Sequence, residues 1–164
     1  MCDLKREEDF LIFEAPELER TAAFLSLRSM EVKIEDDGVR LRITPPLEGL
    51  EESLASLCAA MPSQLLLDLA EMLASEGWLV LKDKGIVRLR RSLVSGGRVA
   101  VFECDCVSRR LRVYSTSDCL LEKIKGMGAN VDKLLVGFEA TLGIKSLIDV
   151  LNIADSLKGV FKEC

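Results

Sequence analysis

Histidine is missing from all 164 residues of this chain. Its absence removes the side chain that most often moves protons near neutral pH. It also excludes Ser-His-Asp and Cys-His nucleophile arrangements. Amides are almost missing as well, with Gln64, Asn130 and Asn152 alone. Aromatic residues make up 5% of the chain, so a core must be built from Leu, Val, Ile and Ala. No apolar run is long enough to span a membrane: the longest charge-free stretch, residues 53–67, is too short and is broken by Pro62. The opening "MCDLKREED" has no apolar region behind it, which argues against a signal peptide and for a cytoplasmic location. The six cysteines contain no C-x-x-C pair, so neither a zinc ribbon nor a thioredoxin-type motif is expected. No P-loop, dinucleotide fingerprint or nucleophile elbow occurs. These absences point away from an enzyme, and no cofactor or metal is expected.

What is present is apolar material and charge. Hydrophobic residues make up 49% and charged residues 30%. Few amides with many Glu, Lys and Arg is a thermophile-like composition. The charge is unevenly spread. Residues 1–81 hold 7 basic and 17 acidic side chains, whereas residues 82–125 hold 11 basic and 5 acidic ones. Such asymmetry suits an anionic partner, or an acidic part that packs beside a basic part and cancels it.

Periodicity predicts the elements. "DFLIFEA" (9–15) reads as a strand, and Pro16 opens a helix running to about residue 30, with Glu17 and Glu19 in its first turn. Val32 and Ile34, the turn Asp37-Gly38, then Val39, Leu41 and Ile43 read as a hairpin. Two helices are predicted over 47–61 and 63–77, on either side of Pro62. Four strands follow between residues 78 and 115, then a helix capped at Ser117 or Asp118. Two further helices are predicted, one carrying Val131, Leu134, Leu135, Phe138 and Leu142, the other spanning residues 147–161. Strands come in hairpins, which predicts an α+β fold: antiparallel hairpins and a meander packed with helices, and a helical C-terminal segment. Residues 1–164 read as one compact unit, with a subdivision into 1–61 and 62–164 as the alternative. Residues 18–42 and 65–90 share a helix, strand, turn, strand order, a faint repeat that ends in "VRLR" both times.

Two groups of residues suggest an anion site. The stronger is the arginine cluster on the predicted strands: Arg88, Arg90, Arg91, Arg98, Arg109, Arg110 and Arg112. Arg88 and Arg90 share a strand face, as do Arg110 and Arg112, so neighbouring strands would make a basic face. Glu103 and Asp105 alternate with Cys104 and Cys106, and two thiols in line with Ala100 and Phe102 read as core residues.

The second group is "LLEKIKGMGANVDKLL", residues 120–135. Leu121, Ile124, Gly126, Met127, Gly128 and Leu134 make it resemble the helix-hairpin-helix motif of DNA-binding proteins. The resemblance covers 16 residues and implies a phosphate held on the turn, with Lys123, Lys125 and Lys133 adding charge. Lys125 stands where the family usually has Pro, and Asp132 where it has a small residue.

The expected function is a non-catalytic binding module for an anionic partner. Its binding residues are Arg88, Arg90, Arg91, Arg110, Arg112, Lys125, Gly126 and Gly128, and the partner is nucleic acid or an acidic protein surface. The alternatives are a protein–protein assembly module and a small-ligand-binding protein. The last helix also carries more apolar residues than one face requires, with Ile148, Ile153, Val160 and Phe161 beside the main stripe. Another part of the fold or a homodimer partner would cover them.

Overall fold

The computed structural model describes residues 1–163. It is an α+β fold with two antiparallel sheets, and its contacts divide it into two compact units, Met1–Met72 and a second that begins at Leu73. The boundary falls within a helix.

In the first unit, strands β1 (Asp3–Arg6) and β2 (Leu11–Glu14) form a hairpin, followed by helix α1 (Glu17–Leu27). Strands β3 (Lys33–Asp36) and β4 (Arg40–Thr44) form the second hairpin, and helix α2 (Leu50–Ala59) follows. The sheet order is β1-β2-β4-β3. Period-two alternation sets the inner face: Leu11 and Phe13 pair with Ile43 and Leu41, and all four are buried. Ala22, Ala23, Phe24 and Leu27 of α1 are buried as well. The turn between β3 and β4 needs a positive φ at Gly38, and the Asp37 carboxylate accepts the amides of Val39 and Arg40. Those amides hold the Asp37 carboxyl below its ordinary value. The sequence reading missed β1, whose residues Asp-Leu-Lys-Arg are mostly exposed at the sheet edge and give no hydrophobic signal.

Helix α3 (Pro62–Ser75) crosses the unit boundary. The second unit then builds a six-stranded sheet from β5 (Leu79–Lys82), β6 (Ile86–Ser95), β7 (Arg98–Asp105), β8 (Arg110–Ser115), β9 (Asn130–Lys133) and β10 (Phe138–Gly143). The order is β5-β6-β7-β8-β10-β9. Helices α4 (Asp118–Gly126) and α5 (Leu147–Glu163) complete it. Leu89, Phe102, Leu111, Val113 and Ala140 are fully buried in the sheet, and so are Leu120, Ile124, Val150 and Leu157 of the two helices. Ser117 caps α4 by accepting the Leu120 amide.

The helix predicted over residues 131–142 is instead the β9–β10 hairpin. The apolar spacing there fits a helical stripe, but Phe138, Ala140 and Leu142 also alternate, and β8 offers them a pairing edge. Gly137, with φ +79°, turns the chain where a helix would have continued. A Cβ on Gly137 would stand 2.3 Å from the Ser115 carbonyl oxygen, so the turn packs directly on β8. Leu134, Leu135 and Val136 are exposed at the hairpin tip, held by the Tyr114 hydroxyl, which donates to the Val136 carbonyl at 3.2 Å.

A duplication of topology emerges that differs from the helix-hairpin repeat of the sequence. β1-β2-α1-β3-β4-α2 and β7-β8-α4-β9-β10-α5 have the same element order and the same sheet order. Leu11↔Ile43 and Phe13↔Leu41 in one sheet match Leu111↔Leu142 and Val113↔Ala140 in the other.

Candidate functional site

The meander places β7 between β6 and β8, and this decides the character of the outer sheet face. Arg88 and Arg90 of β6 lie opposite Asp105 and Glu103 of β7. Glu103 and Asp105 lie in turn opposite Arg112 and Arg110 of β8. Each acid therefore stands between two arginines, and the two arginine rows are about 10 Å apart, twice the strand spacing. The expected arginine pairs do share one face, but with a carboxylate row between them. Arg112 also reaches Glu139 of β10 at 3.2 Å.

At one end of this face lies a recess of about 260 Å³, lined by Arg88, Arg110 and Arg112, by Glu103 and Asp105, and by Ser108 and Thr141. Gly143 stands opposite Arg110 and leaves open space beside it. Asp105 does not neutralise its neighbours by direct pairing. One oxygen of its carboxylate accepts the amides of Val107 and Ser108, each at 3.2 Å, and so builds the turn into β8. The Ser108 amide is the main cause that holds the Asp105 carboxyl below its ordinary value. Among the described residues no ion pair forms from Arg88 or Arg110. Two guanidiniums thus border the recess with their donors open.

The other residues expected in the site lie elsewhere. Arg90 is on the same face, next to the recess and outside its lining. Arg91 points to the opposite side of β6, where it is buried with its guanidinium 6.0 Å from the Trp78 ring centre. Its charge depresses the Lys158 ammonium of α5. Lys125 and Gly126 end α4, and the Lys125 ammonium lies 3.9 Å from Glu122. Gly128 follows with φ +80°, and the chain then enters β9. Within the stretch that the helix-hairpin-helix resemblance covers, residues Asn130–Lys133 form strand β9.

Ser108, Thr141 and Gly143 are contributors that the sequence reading missed. Ser108 carries a turn signal, but Thr141 and Gly143 enter the site through a strand that read as helix.

Five cysteines of the described residues divide into bonded and free ones, and the burial of Cys104 and Cys106 agrees with their reading as core residues. Cys2 and Cys58 form a disulfide, Cys104 and Cys106 are free and buried. Cys119 is disulfide-bonded. Among the described residues no cluster of three or more metal-ligating side chains occurs, and no single helix is long and apolar enough to cross a membrane.

No family model matches the chain, and no curated protein or solved structure does either.

Proposed function

We propose that this chain is a non-catalytic binding module that takes anionic groups of an acidic protein segment at the recess on the outer face of the six-stranded sheet. The observation that carries this reading is the state of Asp105. One oxygen of its carboxylate is held by two backbone amides, and among the described residues no ion pair joins it to Arg88 or Arg110, whose donors stay open to another acceptor. Guanidiniums suit this task because they bind carboxylates and phosphates in a two-pronged geometry.

The interleaved acids favour discrete anionic groups over a continuous phosphate backbone. A nucleic-acid strand laid over both arginine rows meets Glu103 and Asp105 between them, and Glu139 beyond. An acidic peptide can space its carboxylates to the arginines and turn neutral or basic groups to the acids. Like charges in contact disfavour the wrong partner.

Fluorescence anisotropy with a labelled Asp/Glu-rich peptide, and with single- and double-stranded oligonucleotides, tests the reading. The peptide should bind at low salt more tightly than either oligonucleotide. Arg88→Ala and Arg110→Ala should each weaken it by about tenfold, or ~1.4 kcal/mol. Unchanged affinity in folded variants would sink the reading, and tighter binding of an oligonucleotide would replace the peptide by nucleic acid.

A further inference from the structure

Behind the recess, on the core side of β7, the Cys104 and Cys106 sulfurs lie 3.1 Å apart. Asp105, which lines the recess, is the residue between them. In a regular strand the Cα atoms of residues i and i+2 are about 6.6 Å apart and their side chains stand parallel, so their thiols do not meet. Here β7 ends at Asp105 and the chain turns through residues 106–109, which brings Cys106 back toward Cys104. The Cys106 amide still donates to the Val87 carbonyl at 3.0 Å, so its backbone is anchored to β6.

We infer that Cys104 and Cys106 are a redox modification site, a dithiol that a small-molecule disulfide converts into a reversible Cys104–Cys106 bond. A disulfide sulfur pair is separated by about 2.05 Å. Closing the present gap therefore asks for a shift of about 1 Å, within reach of χ1 adjustment.

Cys106 is the entry point, because it is 6% exposed while Cys104 is fully buried. The Cys106 sulfur attacks one sulfur of the oxidant, whose S–S bond breaks and releases one small thiol. The Cys104 sulfur then attacks the Cys106 sulfur of the mixed disulfide, forms the intrachain bond and expels the second small thiol. The two protein protons end on the two released thiols, and two electrons pass from the protein to the oxidant. At rest Cys104 is kept protonated: the hydrogen bond with Cys106, and then burial, push its thiol far up. This makes the dithiol slow to react and lets it persist beside the other disulfides.

Ring size sets the reversibility. A bond across one intervening residue removes little chain entropy, whereas Cys2–Cys58 spans 56 positions. The small ring should therefore open under reducing conditions that leave the long one closed. Oxidation also draws in the backbone of Asp105, the residue that shapes the turn at Val107 and Ser108.

The inference stands without the recess having any ligand, and wild-type protein tests it. The folded protein is equilibrated across a series of reduced-to-oxidised glutathione ratios, quenched in acid, unfolded, alkylated and mapped by peptide mass. The same series is approached from reduced, refolded chain. Cys104 and Cys106 should lose alkylation together as oxidant rises, in one peptide lacking two hydrogens, and regain it on reduction while Cys2–Cys58 stays bonded. In a folded Cys106→Ala variant, Cys104 should remain alkylatable throughout. Free thiols at both positions across the whole series, approached from both sides, would overturn the inference. So would separate glutathione adducts with no internal bond, or oxidation of Cys104 in the variant as readily as in wild type.

Discussion

Asp105 touches both the recess and the turn, so substitutions there separate charge from structure. Asp105→Asn keeps an oxygen for the Val107 and Ser108 amides and removes the negative charge between Arg88 and Arg110. It should tighten acidic-peptide binding several-fold with little change in the unfolding midpoint. Asp105→Ala removes the acceptor as well, and should speed amide exchange at Val107 and Ser108. The pH dependence has a definite sign. The folded Asp105 carboxyl titrates below its ordinary value, so its support for the turn is complete above the unfolded value, about 3.9. That support disappears as pH falls through the lower folded value. Amide exchange at Val107 and Ser108, followed by NMR from pH 5 downward, should show protection retained at pH 4 and lost further down. Loss already at pH 5 would contradict the Asp105 geometry. At the same scale, the arginines of the site were readable from the sequence, and so was the fact that Glu103 and Asp105 share a face. The engagement of Asp105 by amides was not, because it depends on the turn at 106–109 and not on residue type.

Among the elements, the β9–β10 hairpin gives the sharpest comparison. Gly137 and Gly128 both have positive φ, +79° and +80°. Alanine at Gly128 meets nothing within 4 Å, so Gly128→Ala should cost about 1 kcal/mol from backbone conformation alone. Alanine at Gly137 would collide with the Ser115 carbonyl, so Gly137→Ala should cost clearly more, roughly 2 kcal/mol or above. Chemical denaturation of both variants measures this; equal costs would mean that the turn does not pack on β8. The same hairpin marks where sequence reading stopped working. The hairpin at Asp37-Gly38, the meander, α1, α4 and α5 were legible because one period dominated in each. Residues 131–142 satisfied the helical and the alternating pattern at once. The decision came from a distant strand edge, β8, to which Phe138, Ala140 and Leu142 pair. The turn residue Gly137 was the local clue. For β1 no clue existed, since Asp3, Lys5 and Arg6 look like solvated chain wherever they lie.

For the whole molecule, two measurements follow from its bonds and its packing. Cys2–Cys58 closes a loop of 56 positions in the first unit, worth about 4 kcal/mol at 25 °C in the chain-entropy account. Reducing it should lower the denaturation midpoint of that unit, and no shift would mean that the unfolded state is already restrained. Helix α5 buries Ile148 and Phe161 along with its main stripe, each at 1% exposure, and leaves Ile153 and Val160 half-buried. Little apolar surface on α5 remains for a second copy, so light scattering should give a monomer mass at micromolar concentration; a dimer mass would restore the C-terminal helices as an interface. The alternation of arginine and carboxylate across β6, β7 and β8 has a further consequence, in time rather than in affinity. Opposite charges a few ångströms apart largely offset one another at a distance, four arginines against Glu103, Asp105 and Glu139 leaving a net +1, and beyond a Debye length of about 8 Å little of that field remains to guide an approaching partner. Encounter should therefore run at an unsteered rate, on the order of 10⁵–10⁶ M⁻¹s⁻¹, and vary little with salt, while dissociation carries the effect of each arginine. A partner would find this face by collision and be recognised only after contact.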